Sequence, residues 1–246
     1  LIVVAAVTGI PWILFTFIPA ALGFGAYFVN AVVKSLRYSI APVSSGVRLP
    51  FGLFTTVTEI VPPGRVHAVE VRQSIFWRPF GWWSVHVNRL TGRSASDTST
   101  DQFTTVLPVG TRADVEAVLR LLVPALPEDE WPFVFGQGIL GPADGDPYTT
   151  TPARARWLRP LSWRRNGFLL SSDALFLRRG YLWRSLTILP LARMQSISIE
   201  QGPIDRRLAV ANLPAHVVAG SVTTRVGILD RDDAVTAFDG TARGIV

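Results

Sequence analysis

The most constraining feature of the sequence is an internal repeat, in which the second half of the chain matches the first at an offset of 128 residues. Six identities fall in one stretch that needs no insertion or deletion. They are Gly52 and Gly180, Ile60 and Ile188, Pro62 and Pro190, Arg65 and Arg193, Gln73 and Gln201, and Arg78 and Arg206. This pattern indicates two copies of one structural unit, so both copies must be able to adopt the same fold.

The hydrophobic pattern of the repeat predicts β-structure. Val69 and Val71 alternate with charged residues in the first copy, and Ile197 and Ile199 alternate with polar residues at the matching positions. Alternation with a period of two on β-branched residues is typical of a strand with one buried face. The same strand is therefore expected in both copies.

Each copy is predicted to contain several short strands followed by one helix. In the first copy the helix covers Arg112–Leu122, with Thr111 as N-cap and Asp114 completing a capping-box-like start. In the second copy Asp230 is expected to cap a shorter helix. A closed or nearly closed antiparallel sheet with a C-terminal helix is the expected fold, since closure hides edge strands. The strand-like runs of the first copy are Leu36–Ala41, Val47–Phe51, Leu53–Val61, Arg65–Ser74, Trp82–Asn88 and Phe103–Leu107.

Residues 1–33 contain no charged residue, which predicts a membrane-spanning segment. As one helix they would extend about 50 Å, against roughly 30 Å of hydrocarbon in a bilayer. Pro11 and Pro19 favour a break, so residues 1–34 are expected to be the end of a truncated helical hairpin, with further sequence upstream. A signal peptide fits less well, because a basic n-region and a cleavage site are missing. A buried globular helix is the other alternative.

Flanking charge predicts the orientation of this segment. Lys34, Arg37 and Arg48 follow it, with no acidic residue before Glu59, and positive charge beside a membrane span stays in the cytoplasm. The chain has a net charge of +6 and no cysteine, which fits an anionic partner and a reducing compartment. We therefore expect the protein at the cell membrane, with both copies on the cytoplasmic side.

The predicted domains are residues 35–123 and 163–246, joined by a linker at 124–162 that begins rich in proline and glycine. Within this linker, Trp131–Leu140 is apolar but short. Because it is too short to span a membrane and contains glycine, it is expected to pack as a loop.

The repeated motif resembles the bacterial pleckstrin-homology-like (PH-like) domain of membrane-flanked proteins, the YdbS/YdbT-like family. In both copies a glycine turn is followed by Pro-x-x-Arg, then Gln, then Arg, and the second copy matches best, at residues 178–180 and 190–196. The first copy departs from the family pattern at His67-Ala68 and in the aromatic run 77–83. The resemblance covers about residues 35–246. It implies seven strands and a terminal helix in each domain, a preceding helix pair, and no established activity.

The predicted fold is therefore a membrane α-helical anchor followed by two PH-like domains. Each domain is expected to be mainly antiparallel β-sheet or barrel with a C-terminal α-helix.

Arginine mixed with tryptophan is the strongest surface signal, because tryptophan favours the lipid headgroup layer and arginine is attracted to anionic lipid. A membrane-surface or partner-binding role is predicted for Trp77, Arg78, Trp82, Trp83, Trp157, Trp163, Arg164, Arg165, Arg178, Arg179, Trp183, Arg184 and Arg206. The alternative for any single tryptophan is a core or domain-interface position. The repeated Gln73 and Gln201 could bind a partner or equally tie a turn to the sheet.

No catalytic, cofactor-binding or metal site is predicted. The histidines His67, His86 and His216 fall in predicted strands without metal-ligand spacing, and the sequence has no nucleophile elbow or phosphate-binding loop. Basic charge with aromatic residues also raises single-stranded nucleic acid as a partner, but no nucleic-acid motif is recognisable. We expect no enzyme activity, no cofactor and no nucleic acid.

The predicted function is that of a membrane-anchored, non-enzymatic PH-like protein acting as an interaction or scaffold module at the cytoplasmic membrane surface. The expected partners are anionic lipids of the inner leaflet, together with other membrane proteins or further copies of the chain. The alternative is an accessory or regulatory subunit of a larger membrane complex that works through protein–protein contacts.

Overall fold

A computed structural model describes most of the chain after residue 65 and shorter stretches before it. The described residues are 17–19, 22–23, 25–26, 41–43, 46–51, 57–61, 66–89, 105–124, 126–218 and 220–245.

Within these residues, no helix has the length and apolar character needed to cross a membrane. This finding contradicts the predicted membrane α-helical anchor. Of residues 1–34, the structure describes 17–19, 22–23 and 25–26, which are helical, and the rest of the predicted anchor lies outside the described residues. Uncharged composition does not by itself establish one long helix, because Pro11 and Pro19 each lack a backbone hydrogen-bond donor.

The described strands form three sheets in which every pairing is antiparallel. The first sheet has the order β1 (Ala41–Val43), β2 (Gly46–Phe51) and β3 (Val57–Val61). The second has the order β6 (Thr105–Gly110), β5 (Trp83–Arg89), β4 (Val66–Ser74), β10 (Trp183–Pro190), β9 (Ala174–Arg179), β8 (Gly167–Leu170) and β7 (Thr149–Thr150). The third has the order β11 (Ser196–Ile197), β12 (Val210–His216) and β13 (Arg225–Asp230).

The main helices begin where the sequence places their caps. Helix α1 (Arg112–Leu122) has the predicted capping box, in which the Thr111 backbone N–H donates to Asp114 Oδ2 at 2.7 Å. A short helix α2 (Pro203–Arg207) precedes β12. Helix α3 (Arg231–Ile245) begins after Asp230, whose Oδ1 accepts from the Asp232 N–H at 3.0 Å. With fifteen residues against eleven, α3 is longer than α1, so the predicted shorter helix is wrong.

The segment Trp131–Leu140 is helical, which contradicts the predicted loop. Its π-helical part covers Phe133–Leu140 and buries Val134, Phe135 and Ile139 against the sheet. Apolar residues spaced three to five positions apart can share one buried face of a helix, and this spacing outweighs the glycines. Three 3-10 helices among the described residues, Ile75–Phe80, Ala153–Leu158 and Leu191–Arg193, occupy connections between strands.

The seven-stranded sheet separates two hydrophobic cores. On one face, β4 and β5 contribute Val69 and Val85, which pack with Leu119 of α1 and with the π-helix. On the other face, β9 contributes Leu175 and Leu177, which pack with the third sheet and with α3. Both faces of β9 and β10 are therefore covered, as in a sheet that forms the middle layer of a fold.

The elements recur in the order that the repeat predicts. Strands β1–β3 correspond to β8–β10, β4–β6 correspond to β11–β13, and α1 corresponds to α3. Among the described strands of the first copy, β1–β3 and β4–β6 belong to separate sheets. Strand β4 pairs with β10 of the second copy, from Val69 opposite Ile188 to Ser74 opposite Trp183. Joining the two copies thus hides the edges of β4 and β10, while β6 and β7 remain the outer strands of this sheet.

The repeated glutamine ties a turn to the sheet in both copies. Gln73 Nε2 donates to the carbonyl oxygen of Trp82 at 3.2 Å, and Gln201 Nε2 donates to that of Val210 at 2.8 Å. Each bond spans a short helical turn that ends in a left-handed residue, Gly81 at φ 63° and its counterpart Ala209 at φ 49°. Of the two alternatives left open by the sequence, the structure shows the turn-tying role.

Replacing Gln201 with alanine is expected to lower the free energy of unfolding by about 1 kcal/mol, because the carbonyl of Val210 loses its side-chain donor. Urea unfolding followed by circular dichroism measures this difference. Gln195→Ala is the matched control, since Gln195 is exposed and lies just before β11, whereas Gln201 lies after it. Equal losses in the two variants would contradict the turn-tying role.

Candidate functional site

The pairing of β4 with β10 brings two aromatic turns to the same end of the seven-stranded sheet. Trp183, the first residue of β10, lies opposite Ser74, the last residue of β4. The 3-10 helix Ile75–Phe80 therefore lies beside the turn formed by residues 180–182. Gly180 has φ 73°, and a Cβ there would collide with the carbonyl oxygen of Trp183, so this tight turn requires glycine.

We call the side chains on these two turns the aromatic rim. Apolar side chains of both copies are exposed there, and Trp183 is 66% exposed. Exposed aromatic residues that cluster in this way mark a site of interaction more often than isolated ones do. The aromatic rim consists of Phe76, Trp77, Arg78, Phe80 and Trp82 from the first copy and Tyr181, Leu182, Trp183 and Arg184 from the second.

Arg78 joins the two halves of the aromatic rim directly. Its Nη2 donates to the carbonyl oxygens of Tyr181 and Leu182, the latter at 3.4 Å. Its guanidinium carbon lies 5.3 Å from the centroid of the Tyr181 ring, within the range of a cation–π contact. On the first copy's side, the rings of Phe80 and Trp82 stack with centroids 4.8 Å apart. The surface is therefore composite, because neither copy carries all of it.

The aromatic rim is positively charged and has unpaired donors. Residues 74–84 and 180–186 contain no aspartate or glutamate. Burial lowers the pKa of Arg184, and the nearby charge of Arg78 lowers it further. Among the described residues, Trp77 Nε1, Arg78 Nε and Arg184 Nε have no hydrogen-bond acceptor. Such donors are uncommon in folded proteins, and all three atoms are buried, so they do not face a ligand directly. The positive charge of Arg78 and Arg184 is what suits an anionic partner.

Five of the thirteen predicted site residues belong to the aromatic rim: Trp77, Arg78, Trp82, Trp183 and Arg184. The predicted set of site residues leaves out Phe76, Phe80, Tyr181 and Leu182, although the first three lie in or beside the aromatic and basic segments that the sequence indicates. The available signal was their position on turns, where apolar side chains have little opportunity for burial.

Arg178, another predicted site residue, is fully buried at 0% exposure. Its Nη1 donates to Asp146 Oδ1 at 2.9 Å and to the carbonyl oxygen of Gln137 at 2.8 Å, and its Nε donates to that of Arg165 at 2.9 Å. Its guanidinium also lies 4.2 Å from the ring centroid of Tyr148. Arg178 therefore holds the linker segment against β9 and is not available to a membrane.

Arg165 is also buried, at 3% exposure, and it caps the π-helix. Its guanidinium donates to the carbonyl oxygens of Ile139 at 2.9 Å and Gly138 at 3.2 Å, and also to that of Gly141. The last carbonyls of a helix carry partial negative charge and stabilise a cation. Burial lowers the pKa of Arg165 to about 9, and the nearby Arg178 adds to this effect, so the side chain is still charged at neutral pH.

The remaining predicted residues lie in three places. Trp83 is buried in the core on β5, and Arg179 is mostly buried on β9, so the burial of both removes them from a lipid-facing surface. Trp157, Trp163 and Arg164 lie on the segment between β7 and β8, where Trp157 is 61% exposed and Arg164 stacks on Trp163 at 5.1 Å. Arg206 is exposed on α2.

The histidines lie on strands and contact nearby polar groups. His86 contacts Ser84 Oγ and Thr105 Oγ1, each at 3.2 Å, and His216 contacts Ser198 Oγ at 3.2 Å. Within the part of the chain that the structure describes, no group of three or more histidine, cysteine, aspartate or glutamate side chains is arranged to hold a metal ion.

Comparison with protein families gives a match in both copies. The family model described as "Bacterial PH domain" matches residues 1–125 and 148–240, which together make up most of the chain. No curated protein and no solved structure matches the chain significantly.

Replacing Asp146 with alanine is expected to cost about 3 kcal/mol of unfolding free energy, because it leaves the buried Arg178 cation without its carboxylate partner. Chemical denaturation of the full chain measures the loss. Asp144→Ala is the matched control, since Asp144 is exposed two residues away. If the two variants were equally stable, the ion pair could not be what holds this segment on the sheet.

Proposed function

Because the chain belongs to the bacterial PH domain family, we propose that it is a non-enzymatic interaction module that binds an anionic membrane surface through the aromatic rim. The family is typically non-catalytic. The observation that carries the proposal is the combination of exposed aromatic side chains and two arginines at two adjoining turns that contain no acidic residue.

The physics of lipid surfaces accounts for this combination. Tryptophan and tyrosine favour the headgroup layer, where the ring is partly desolvated and its polar atom stays hydrated. An arginine near anionic lipid contributes about 1 kcal/mol, so Arg78 and Arg184 alone would give only weak attachment. Apolar insertion must add to the electrostatic attraction, and Phe76, Phe80 and Trp183 are exposed at the right place to provide it.

We further propose on which side of the membrane the two copies lie and to which subfamily the chain belongs. We place both copies at the cytoplasmic face, because anionic lipids of the inner leaflet attract basic surfaces. The narrower YdbS/YdbT-like placement is supported by the repeated glycine, Pro-x-x-Arg, glutamine and arginine pattern.

The aromatic rim also has the composition of a protein-binding hot spot. Tryptophan, tyrosine and arginine are the residues most enriched at such sites. A role as accessory subunit of a larger complex is therefore the second candidate, and the experiment below separates it from lipid binding.

Replacing Trp183 with alanine is expected to weaken binding to vesicles of phosphatidylglycerol and phosphatidylcholine about tenfold, since burial of one large apolar side chain contributes about 1.5–3 kcal/mol. Co-sedimentation of the full chain, with pure phosphatidylcholine vesicles in parallel, measures the partition coefficient. Trp157→Ala is the matched control, because Trp157 is equally exposed but lies outside the aromatic rim. Any contribution from residues 1–34 is the same in all three proteins.

Replacing Arg184 with glutamine is expected to weaken binding to anionic vesicles severalfold, about 1 kcal/mol, and to reduce its dependence on salt. Binding to pure phosphatidylcholine should not change. Unaltered binding of both Trp183→Ala and Arg184→Gln to anionic vesicles would exclude the lipid role. Loss of a stoichiometric protein partner in the same variants would then favour the accessory-subunit role.

A further inference from the structure

A buried carboxylate lies at the junction between the two copies, behind the aromatic rim. Glu70 in β4 is 2% exposed, and its two oxygens bind arginines from different copies. Arg72 of the first copy donates to Glu70 Oε2 at 2.6 Å, and Arg179 of the second copy donates to Oε1 at 2.9 Å. The pair Glu70–Arg179 therefore crosses the β4–β10 boundary, where both charged groups are largely removed from water.

A loop of the second copy closes over this carboxylate. We call it the strap; it connects β12 to β13, and its described residues are 217–218 and 220–224. The Thr223 N–H donates to Glu70 Oε2 at 3.3 Å, while the Thr223 carbonyl oxygen accepts from Arg179 at 2.8 Å. Arg72 donates to the carbonyl oxygen of Ser221 at 2.7 Å. The strap thus belongs to the second copy in sequence and is bound by side chains of both copies.

Asn88 binds the strap at a second point on the first copy. Its Nδ2 donates to the carbonyl oxygen of Val218 at 3.2 Å, and its Oδ1 accepts from the Val222 N–H at 3.0 Å. Val222 is buried between these bonds and those to Glu70. Gly220 fits against the Asn88 amide so closely that a Cβ there would collide with it.

Comparison of the two copies shows that Glu70 and Asn88 have no equivalent in the second copy. At the offset of 128, Glu70 corresponds to Ser198 and Asn88 corresponds to His216. In the second copy this pair is exposed, and Ser198 Oγ contacts His216 Nε2 at 3.2 Å. The carboxylate and the amide are therefore not requirements of the fold itself. They occur in the copy whose sheet face receives the strap.

We infer that Glu70 is a positioning residue for the aromatic rim, holding its two halves together without touching a ligand. The inference rests on the proposed function of the aromatic rim. Arg179 directly precedes the turn at 180–182, and Glu70 lies four residues before Ser74, where the other half begins. Release of the Glu70–Arg179 contact loosens both turns at their bases, so Arg78 loses its fixed position over Tyr181.

The test compares Glu70→Gln with Trp183→Ala and with Glu116→Gln in the full chain. Glu116 forms an exposed ion pair with Arg112, so its variant removes a carboxylate away from the junction. We expect Glu70→Gln to keep the far-ultraviolet circular dichroism of the native protein and to bind anionic vesicles about tenfold more weakly. Glu116→Gln should bind as the native protein does. If Glu70→Gln does not fold, Asn88→Ala is measured in its place, with the same expectation.

Hydrogen exchange separates positioning from general loss of stability. Amide exchange in residues 217–224 and 180–183 should rise in Glu70→Gln, while exchange in α1 stays unchanged, because only local opening is expected. Uniform acceleration across the chain would overturn the inference.

The vesicle results distinguish the two levels of the proposal. Loss of binding in Trp183→Ala with native binding in Glu70→Gln would overturn the positioning role and leave the proposed function standing. Native binding in both would overturn the proposed function itself. Loss in Glu70→Gln alone would place the effect outside the aromatic rim, and the positioning role would again be wrong.

Discussion

An outer strand of a β-sheet leaves a row of backbone N–H and C=O groups without partners, and the pairing of β4 with β10 supplies partners to one such strand from each copy. The remaining features follow from that pairing. It makes β4 and β10 interior strands, and it places the turn after β4 beside the turn before β10. The aromatic rim exists because the last residue of β4, from the first copy, lies opposite the first residue of β10, from the second.

Position along the strand decides what each arginine does. Arg178 lies inside the sheet, where a cation is tolerated only with full pairing, and it has Asp146, a backbone carbonyl and the Tyr148 ring. Arg184 lies one residue into β10, close to Arg78 and with no carboxylate in its turn, so its charge is not neutralised locally. The same residue type therefore serves as internal support in one place and as a charged surface in another, within a few residues of the chain.

Local signals predicted local structure well. Patterns among neighbouring residues predicted the Thr111–Asp114 capping box, the repeated strands and the C-terminal helices, and the structure shows these elements. The burial of Arg165 and Arg178 could not be predicted, because their partners come from the linker, whose helix was itself mistaken for a loop. The β4–β10 pairing was missed for a similar reason: the alternation at Val69 and Val71 indicates a strand but does not identify its neighbour. The membrane anchor was inferred from the uncharged composition of residues 1–33 and its two prolines, and neither establishes a helix of membrane-spanning length.

The hydrogen bonds of the repeat fall into two kinds. Gln73 and Gln201 make the same bond to matching positions, so each copy carries what its own turn needs. Glu70 and Asn88 have unlike counterparts, Ser198 and His216, so the contacts of the first pair depend on the two copies lying side by side. A single copy would carry one turn without the second turn beside it. The composite surface is therefore a property of the pair, whereas the turn-tying bond is a property of each copy.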